Sequence, residues 1–198
     1  MINPYSIFDS LFIGKKIQGN IGDFNHSELQ LFCYFSCLMS LYDGNPISFW
    51  GYKFIKNELG VPLSYEVDVA IEKLQQNNEL ILKDDGFLRL TDLGEEKLKT
   101  FTDFDIYKSR IKYLQASCES LLVMPIGNFR TSIYQEPLIK FANEGDLRNL
   151  TEEDSIALDS LYDQFEMLKE ALKNQYSDLF VPAVTWLKYL QNSESFNV

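Results

Sequence analysis

Cysteine and histidine are the residues of this chain that could bind zinc or pair as nucleophile and base. Cys33 and Cys37 are four residues apart and share one face if they lie on a helix. A structural zinc site needs four ligands, and only Cys118 and His26 remain, at spacings that match no zinc finger. One histidine also excludes an H-E-x-x-H site. We therefore interpret the cysteines as small buried core residues and His26 as a helix-capping or surface residue, and we predict no metal site.

Carboxylates are the second group that could do chemistry. In "KDDGFLRLTDLGEEK", an aspartate precedes Glu95-x-Lys97, an order that can hold a divalent metal in nucleases. We favour a structural interpretation, because the pattern places Glu95 and Lys97 in a helix and not on a strand. The segment "TEEDS" at 151–155 is typical of helix capping, with acidic charge at the positive helix end. No P-loop or G-x-G-x-x-G motif occurs, so we predict no nucleotide site, no cofactor and no catalytic residue.

Composition limits the partners that the chain can bind. Its 198 residues include 18 basic and 29 acidic side chains, a formal net charge of −11, and 45% are hydrophobic. Such a chain can bury a substantial core and is not disordered. A protein that binds nucleic acid alone needs a basic footprint to neutralise phosphates, and this net charge opposes it. We therefore expect DNA contact to be weak or indirect.

The N-terminal sequence "MINPYSIFDSLFIGKKIQGN" lacks the basic start and apolar run of a signal peptide. No stretch is apolar over the roughly 18 residues that a membrane span requires. An odd number of cysteines does not suggest a disulfide framework. These features predict a soluble, cytoplasmic protein that does not contact a membrane.

The first half of the chain is predicted to contain an N-terminal arm and three helices. Residues 1–26 are predicted to be irregular, although "SIFDSLFIG" is apolar enough to pack on the body or on a partner. "HSELQLFCYFSCLMSLYDG" predicts a helix between an N-cap at Ser27 and a stop at Gly44. "PISFWGYKFIKNELG" predicts a second helix that ends near Gly60. A third helix begins near Ser64, and its inward stripe consists of Val67, Ala70, Ile71 and Leu74.

A hairpin and a further helix follow. "ELILK" and "FLRLT" predict two short strands around the turn "DDG". Asp92 and Glu95 then form a D-x-x-E helix start, which is a relative of the capping box. Three helices, a tight hairpin and a helix are the winged-helix order. We therefore assign residues 27–101 to a winged-helix domain and residues 1–26 to an N-terminal arm.

The second half is predicted to be a helical extension over residues 102–198. Its first amphipathic helix carries an apolar stripe of Phe104, Tyr107, Ile111, Leu114, Cys118 and Leu121. "VMPIGNFRTSIYQEP", with two prolines, predicts a break. Thr151 is predicted to open a longer helix whose stripe could be core or a dimer seam: Leu158, Leu161, Tyr162, Phe165, Leu168 and Leu172. A last helix follows Pro182, and the tail "SESFNV" is predicted to fray.

The predicted fold class is therefore mainly α (α+β): a winged helix with a short two-stranded wing, followed by a C-terminal helical extension. "VDVAIEKLQQNNELI" followed by "FLRLTDLGEEKL" resembles the winged-helix regulators of the MarR and PadR families. In those families the second wing strand ends in Leu-Thr, with a glycine three residues after the threonine, as in Leu90, Thr91 and Gly94. This resemblance is specific for fold. It implies a dimeric transcription regulator as one functional alternative.

A second resemblance involves the segment between the first and third predicted helices. It is similar to the G-x-P-I segment, tyrosine and G-P-x-S turn of Panacea and YwgA-like domains, with Val61 as an extra residue inside the turn. The matching residues are Gly44, Pro46, Ile47, Tyr52, Gly60, Pro62 and Ser64. Panacea domains act as antitoxins, so this resemblance implies a protein target.

A third resemblance is one of organisation. The acidic winged helix, the "NPYSIFDSLF" opening and the helical extension look similar to accessory subunits of bacterial SMC-like ATPase systems. These include kite subunits and the middle components of three-component antiphage systems such as Lamassu. The resemblance implies a larger partner, an ATPase and in some systems a nuclease, that supplies the chemistry.

The outward face of the third helix differs from that of a DNA reader. It offers one lysine and one glutamine against two acids, whereas major-groove recognition favours Arg, Lys, Asn and Gln. The wing tip Asp84-Asp85-Gly86 stands where a minor-groove wing requires basic residues. Residues 27–101 contain seven basic and twelve acidic residues. We therefore predict that this face binds a protein through Tyr65, Asp68, Val69, Glu72 and Gln76.

These observations predict a non-catalytic, winged-helix interaction subunit of a larger bacterial complex, such as an ATPase-centred DNA-surveillance or antiphage assembly. A homodimer is an alternative state. A basic patch of Lys15, Lys16, Lys53 and Lys56 would form if the N-terminal arm lay near the second helix, but we favour a scattered solvated face. The regulator and the antitoxin remain the alternative functions.

Overall fold

A computed structural model of the chain describes residues 2–142, 148–153, 155–173 and 175–193. The α-helices within these ranges are α1 (Pro4–Ile21), α2 (His26–Tyr42), α3 (Tyr65–Gln76), α4 (Asp92–Thr102), α5 (Asp105–Glu119), α6 (Ile126–Ile133), α7 (Pro137–Phe141), α8 (Ile156–Ala171) and α9 (Phe180–Ser193). The strands are β1 (Ile55–Lys56), β2 (Pro62–Leu63), β3 (Leu80–Leu82), β4 (Leu88–Leu90) and β5 (Arg148–Asn149). The predicted mainly α class, with a short two-stranded sheet and C-terminal helices, is confirmed.

The N-terminal segment is helical, so the prediction of an irregular arm was wrong. Asn3 caps α1 by accepting hydrogen bonds from the amides of Tyr5 and Ser6, and Pro4 stands at the first turn, where its missing N–H is harmless. Gly14 lies within the helix and packs against the Phe24 ring. A Cβ at this position would approach the ring to 2.9 Å, so a larger residue would not fit without a shift of the ring. Most of α1 up to Ile17 is buried. The arm therefore packs on the body of this chain.

Helix α2 begins two residues earlier than a Ser27 cap would require. Asn25 is the N-cap, and it forms a capping box in which its side chain accepts from the Glu28 amide and Glu28 accepts from the Asn25 amide. Every residue from Glu28 to Tyr42 is buried. This burial on all sides agrees with the sequence, in which apolar residues surround the axis of the helix.

The predicted second helix does not form. Its segment instead contains a 3-10 turn at Ile47–Trp50 and the antiparallel β1–β2 hairpin. The Asn57 side chain closes the hairpin by accepting from the amides of Leu59 and Val61. Gly60 has a φ of +77°, a conformation that glycine adopts without strain. The three helices before the β3–β4 hairpin are therefore α1, α2 and α3, an order that is compatible with a winged helix.

The Leu90-Thr91-Gly94 pattern connects the hairpin to α4. Thr91 Oγ1 donates to the carbonyl of Asn78 at 2.8 Å and accepts from the Gly94 amide at 3.3 Å, so Thr91 is the N-cap. A Cβ on Gly94 would lie 2.3 Å from the Glu79 carbonyl oxygen. Glycine is needed here because α4 approaches the backbone at the start of β3 this closely.

The second half departs from prediction at two points. Helices α6 and α7 occupy the predicted break, because prolines are tolerated at a helix start. Helix α8 is capped by Ser155 and not opened at Thr151, whose hydroxyl accepts from the Phe54 amide. The α8 stripe is buried at Leu158, Leu161, Phe165 and Leu168. It therefore serves as core within this chain, and residues 194–198 of the tail lie outside the described residues.

A buried ion pair joins the two halves of the chain. Arg110 on α5 donates through Nε to Asp9 on α1 at 3.0 Å and through Nη2 to the other carboxylate oxygen. Arg110 also donates to the Trp50 carbonyl at 2.8 Å, with its guanidinium 3.8 Å from the centre of that indole ring. Tyr52 donates to Asp9 at 2.7 Å. Burial opposes the charge of Arg110, but the Asp9 carboxylate holds its pKa above the usual value.

We predict that Arg110→Met strongly destabilises the protein, because it leaves the buried Asp9 carboxylate without a cation. The expected loss of unfolding free energy is about 3–5 kcal/mol, measured by chemical denaturation. Asp9→Asn combined with Arg110→Met should recover part of this loss, since no buried charge remains. Lys108→Met, on the exposed side of α5, is the control and should change the transition little. An unchanged midpoint for Arg110→Met would contradict a structural role for the pair.

Glu136 is a second buried carboxyl group. It caps α7 by accepting from the amides of Leu138 and Ile139, and it accepts from the Tyr34 hydroxyl of α2 at 2.8 Å. Burial raises the pKa of Glu136 from 4.5 to about 7, and these hydrogen bonds counter the increase only in part.

This raised pKa predicts a pH-dependent stability. The folded state holds the Glu136 proton more tightly than the unfolded state does, so its contribution is complete below the unfolded pKa and is lost as pH rises through about 7. The unfolding free energy of the wild type, relative to that of the non-titrating Glu136→Gln variant, should therefore fall between about pH 5 and pH 8. A difference that stays constant over this range would contradict the prediction.

Candidate functional site

Helix α3 presents its predicted faces as expected. The inward residues Val67, Ala70, Ile71 and Leu74 are buried in the core. Ser64 precedes the helix, and its amide and carbonyl bond to the side chain of Gln30 on α2. Ser6 of α1 donates to the Glu66 carbonyl at 2.8 Å. Two neighbouring helices therefore fix the first turn of α3, which sets the direction of its outward face.

The outward face contains an exposed aromatic and an exposed aliphatic side chain. Tyr65 is 59% exposed and Val69 is 42% exposed. Glu72 and Gln76 are also exposed along the same face. Asp68 is different, because it accepts from Gln30 at 2.6 Å and lies 2.8 Å from His26 Nε2. Four of the five predicted partner-binding residues are thus available at the surface, and Asp68 anchors α3 to α2.

The basic residues of the wing are already paired within the chain. Arg89 forms a bidentate contact with Asp23 at 2.6 and 2.8 Å, and Lys83 contacts the same carboxylate at 2.7 Å. Arg89 and Lys83 lower the pKa of Asp23 to about 2. Asp84 and Asp85 remain exposed at the tip. The hairpin surface therefore carries cations that are already paired, together with the exposed acids Asp84 and Asp85, of which Asp85 also contacts Lys83 at 3.4 Å.

Lysines elsewhere do not form the basic patch considered from sequence. Lys56 is buried and donates to the Ala142 carbonyl at 3.0 Å, so it cannot contribute to a surface patch. Lys15 pairs with Glu95 at 2.7 Å, and Lys97 pairs with Glu79 at 2.8 Å. Glu95 and Lys97 therefore lie in α4 and bind separate partners, as the structural interpretation of that motif expected.

The three cysteines are free and buried, which confirms their interpretation as core residues. Burial raises the pKa of each thiol above its usual value, which disfavours the reactive thiolate. No group of three or more His, Cys, Asp or Glu side chains in the described ranges is arranged to hold a metal ion. His26 stands at the start of α2 and is half-exposed.

Sequence reasoning missed the apolar surface of the hairpin. Leu82 is 61% exposed, and Ile81, Phe87 and the nearby Leu93 of α4 are also exposed. The unbroken apolar run "LIL" was the available signal, since a strand with one buried face alternates with polar residues. On its other side β4 bridges to Phe24, so β3 forms the outer edge of this small sheet in the described structure.

Comparisons with known proteins found no relative of this chain. No family model matches the chain, and no curated protein or solved structure matches it significantly. Each helix in the described ranges is too short or too polar to serve as a transmembrane segment.

Proposed function

We propose that this chain is a non-catalytic subunit whose winged helix binds a larger protein through the outward face of α3 and the adjoining hairpin. The proposal is supported by exposed apolar side chains that occur together with acids where a DNA-binding protein needs free cations. Tyr65 and Val69 supply the apolar centre. Glu72 and Gln76 supply a polar margin.

This composition is typical of protein interfaces. Tyrosine is enriched among the residues that dominate binding energy, and such residues are surrounded by polar groups that exclude water. Exposed apolar side chains on the hairpin, with Leu82 the most exposed, are a further candidate contact for the partner. Acidic groups around it favour a partner surface that is basic or neutral.

The proposed partner supplies both the chemistry and the affinity for DNA. An ATPase, alone or with a nuclease, is the partner implied by the resemblance of the sequence to accessory subunits of SMC-like and antiphage systems. An antitoxin would use the same surface, with a toxin as the partner.

A dimeric transcription regulator has less support. The order of elements suits it, but Asp23 neutralises the wing cations and the tip is acidic. The α8 stripe that could have formed a dimer seam is buried within this chain. A dimer would therefore require another surface.

The test is to isolate the tagged chain from its source cells at moderate salt and to determine the protein composition and the intact mass of the complex that copurifies with it. Wild type should yield a larger protein at fixed stoichiometry. Tyr65→Glu should reduce the bound partner about tenfold or more, since a loss above about 1.4 kcal/mol is expected for a central aromatic. Tyr189→Glu, an exposed tyrosine on α9, is the matched control and should retain the partner.

Two outcomes would contradict the proposal. If wild type emerges only as a homodimer without another protein, the interaction-subunit function is wrong. If the partner persists equally in Tyr65→Glu and Tyr189→Glu, the α3 face is not the binding surface. Far-ultraviolet circular dichroism of both variants should match wild type, because neither side chain is part of the core.

A further inference from the structure

A cleft lies beside the first turn of α3, lined by the chain segment before β1 and by the segment from β5 to Glu153. Its volume is about 650 Å³. The floor includes the buried side chains of Ile47, Tyr52 and Thr151. Its charged walls are Glu66, Lys53, Glu152 and Glu153. Three carboxylates against one ammonium group give this cleft a negative character, which favours a cationic occupant.

A second cleft adjoins the first along the segment from Asn149 to Glu153. Its volume is about 460 Å³, and Asn149, Glu152 and Glu153 line both clefts. Its wall is more apolar, because Ile156 is 80% exposed and Phe141 is 55% exposed. The consecutive residues Leu150 and Thr151 line the second and the first cleft respectively. These two residues form the turn that follows β5, and the two clefts meet along this turn.

The backbone of β5 can accept a further strand between the two clefts. In the described ranges the order of this sheet is β2-β1-β5, so β5 is its edge. Leu150 donates to the Phe54 carbonyl of the chain segment before β1 at 2.8 Å, and Asn149 pairs with Ile55. Hydrogen-bonded and non-hydrogen-bonded pairs alternate in antiparallel strands. The N–H and C=O of Asn149 therefore point away from β1, toward an added strand.

We propose that this edge and its two clefts bind an extended segment of a partner protein in which basic and apolar residues alternate. The segment adds a strand to β5. Its Lys or Arg side chains enter the acidic cleft toward Glu66, Glu152 and Glu153, and its apolar side chains meet Ile156 and Phe141. Main-chain hydrogen bonds provide affinity and the alternate pockets provide specificity in this mode of binding. The inference rests on the proposed function for the identity of the partner, but the site is separate from the outward face of α3.

The test uses the purified full chain and a fluorescein-labelled ten-residue peptide that alternates lysine and valine. Fluorescence polarisation should show saturable binding that weakens with added salt. A peptide of the same composition with its lysines consecutive should bind at least about tenfold more weakly, which is about 1.4 kcal/mol, because its side chains cannot divide between the two clefts. A glutamate–valine peptide should not bind.

Variants locate the binding site. Glu152→Lys with Glu153→Lys should weaken the lysine–valine peptide at least about tenfold. Glu166→Lys with Glu170→Lys, on the exposed side of α8, changes the net charge equally and should have little effect. Asn149→Pro removes the outward N–H and should weaken binding more than Asn149→Ala, which removes only the side chain.

The proposal is overturned if no saturable binding is found up to about 1 mM peptide. It is also overturned if both charge-reversal variants weaken binding equally, since that indicates general attraction to an acidic protein. Because the purified chain is used alone, a failure here leaves the α3 interface standing. Peptide binding with no partner at the α3 face would instead contradict only the proposed function.

Discussion

The buried pair of Asp9 and Arg110 fixes elements that position the outward face of α3 and the acidic cleft. It holds α1 against α5 and, through the Trp50 carbonyl, fixes the turn that precedes β1. Helix α1 in turn carries Ser6, which bonds to α3, and the turn leads into the floor of the acidic cleft. An ion pair removed from water requires close geometry and further hydrogen bonds, which Tyr52 and Trp50 supply. Rearranging these elements would therefore break the hydrogen bonds that compensate the two buried charges.

Ion pairs within this chain occupy cations of the β3–β4 hairpin and of α4. The cations that a winged helix would offer to phosphates are bound by the chain's own carboxylates, Lys83 and Arg89 by Asp23 and Lys97 by Glu79. These pairs attach the hairpin to the α1–α2 connection and α4 to β3. The acids left over, at the hairpin tip and along α3, face solvent beside exposed apolar side chains. Such a surface suits a protein partner better than a polyanion.

Local signals predicted a large part of this structure, and nonlocal contacts explain the remainder. Amphipathic periodicity located α3 and α5, and turn chemistry located the β3–β4 hairpin. Residues 46–60 were predicted to form a helix, but Asn57, Gly51 and Gly60 form turns there, with φ values of +86° and +77° at the glycines. Helix α1 was missed because Pro4 and its glycines indicated an irregular segment, whereas Pro4 stands at the helix start and Gly14 packs against Phe24. Helical spacing predicted the outward residues of α3. The clefts are formed by segments about 100 residues apart in the chain, so no local sequence pattern indicated them.

The most direct test of the proposal that the outward face of α3 and the β3–β4 hairpin contact protein and not DNA is the affinity of the purified chain for duplex DNA as a function of salt concentration. Fragmented genomic DNA from the source cells, titrated at about 50 mM salt, includes specific and non-specific sites. The account predicts no saturable binding up to tens of micromolar protein, roughly the range in which non-specific DNA binding appears. Tight binding whose logarithm falls steeply and linearly with the logarithm of salt concentration would contradict it, because that slope requires cations that are free to contact phosphates.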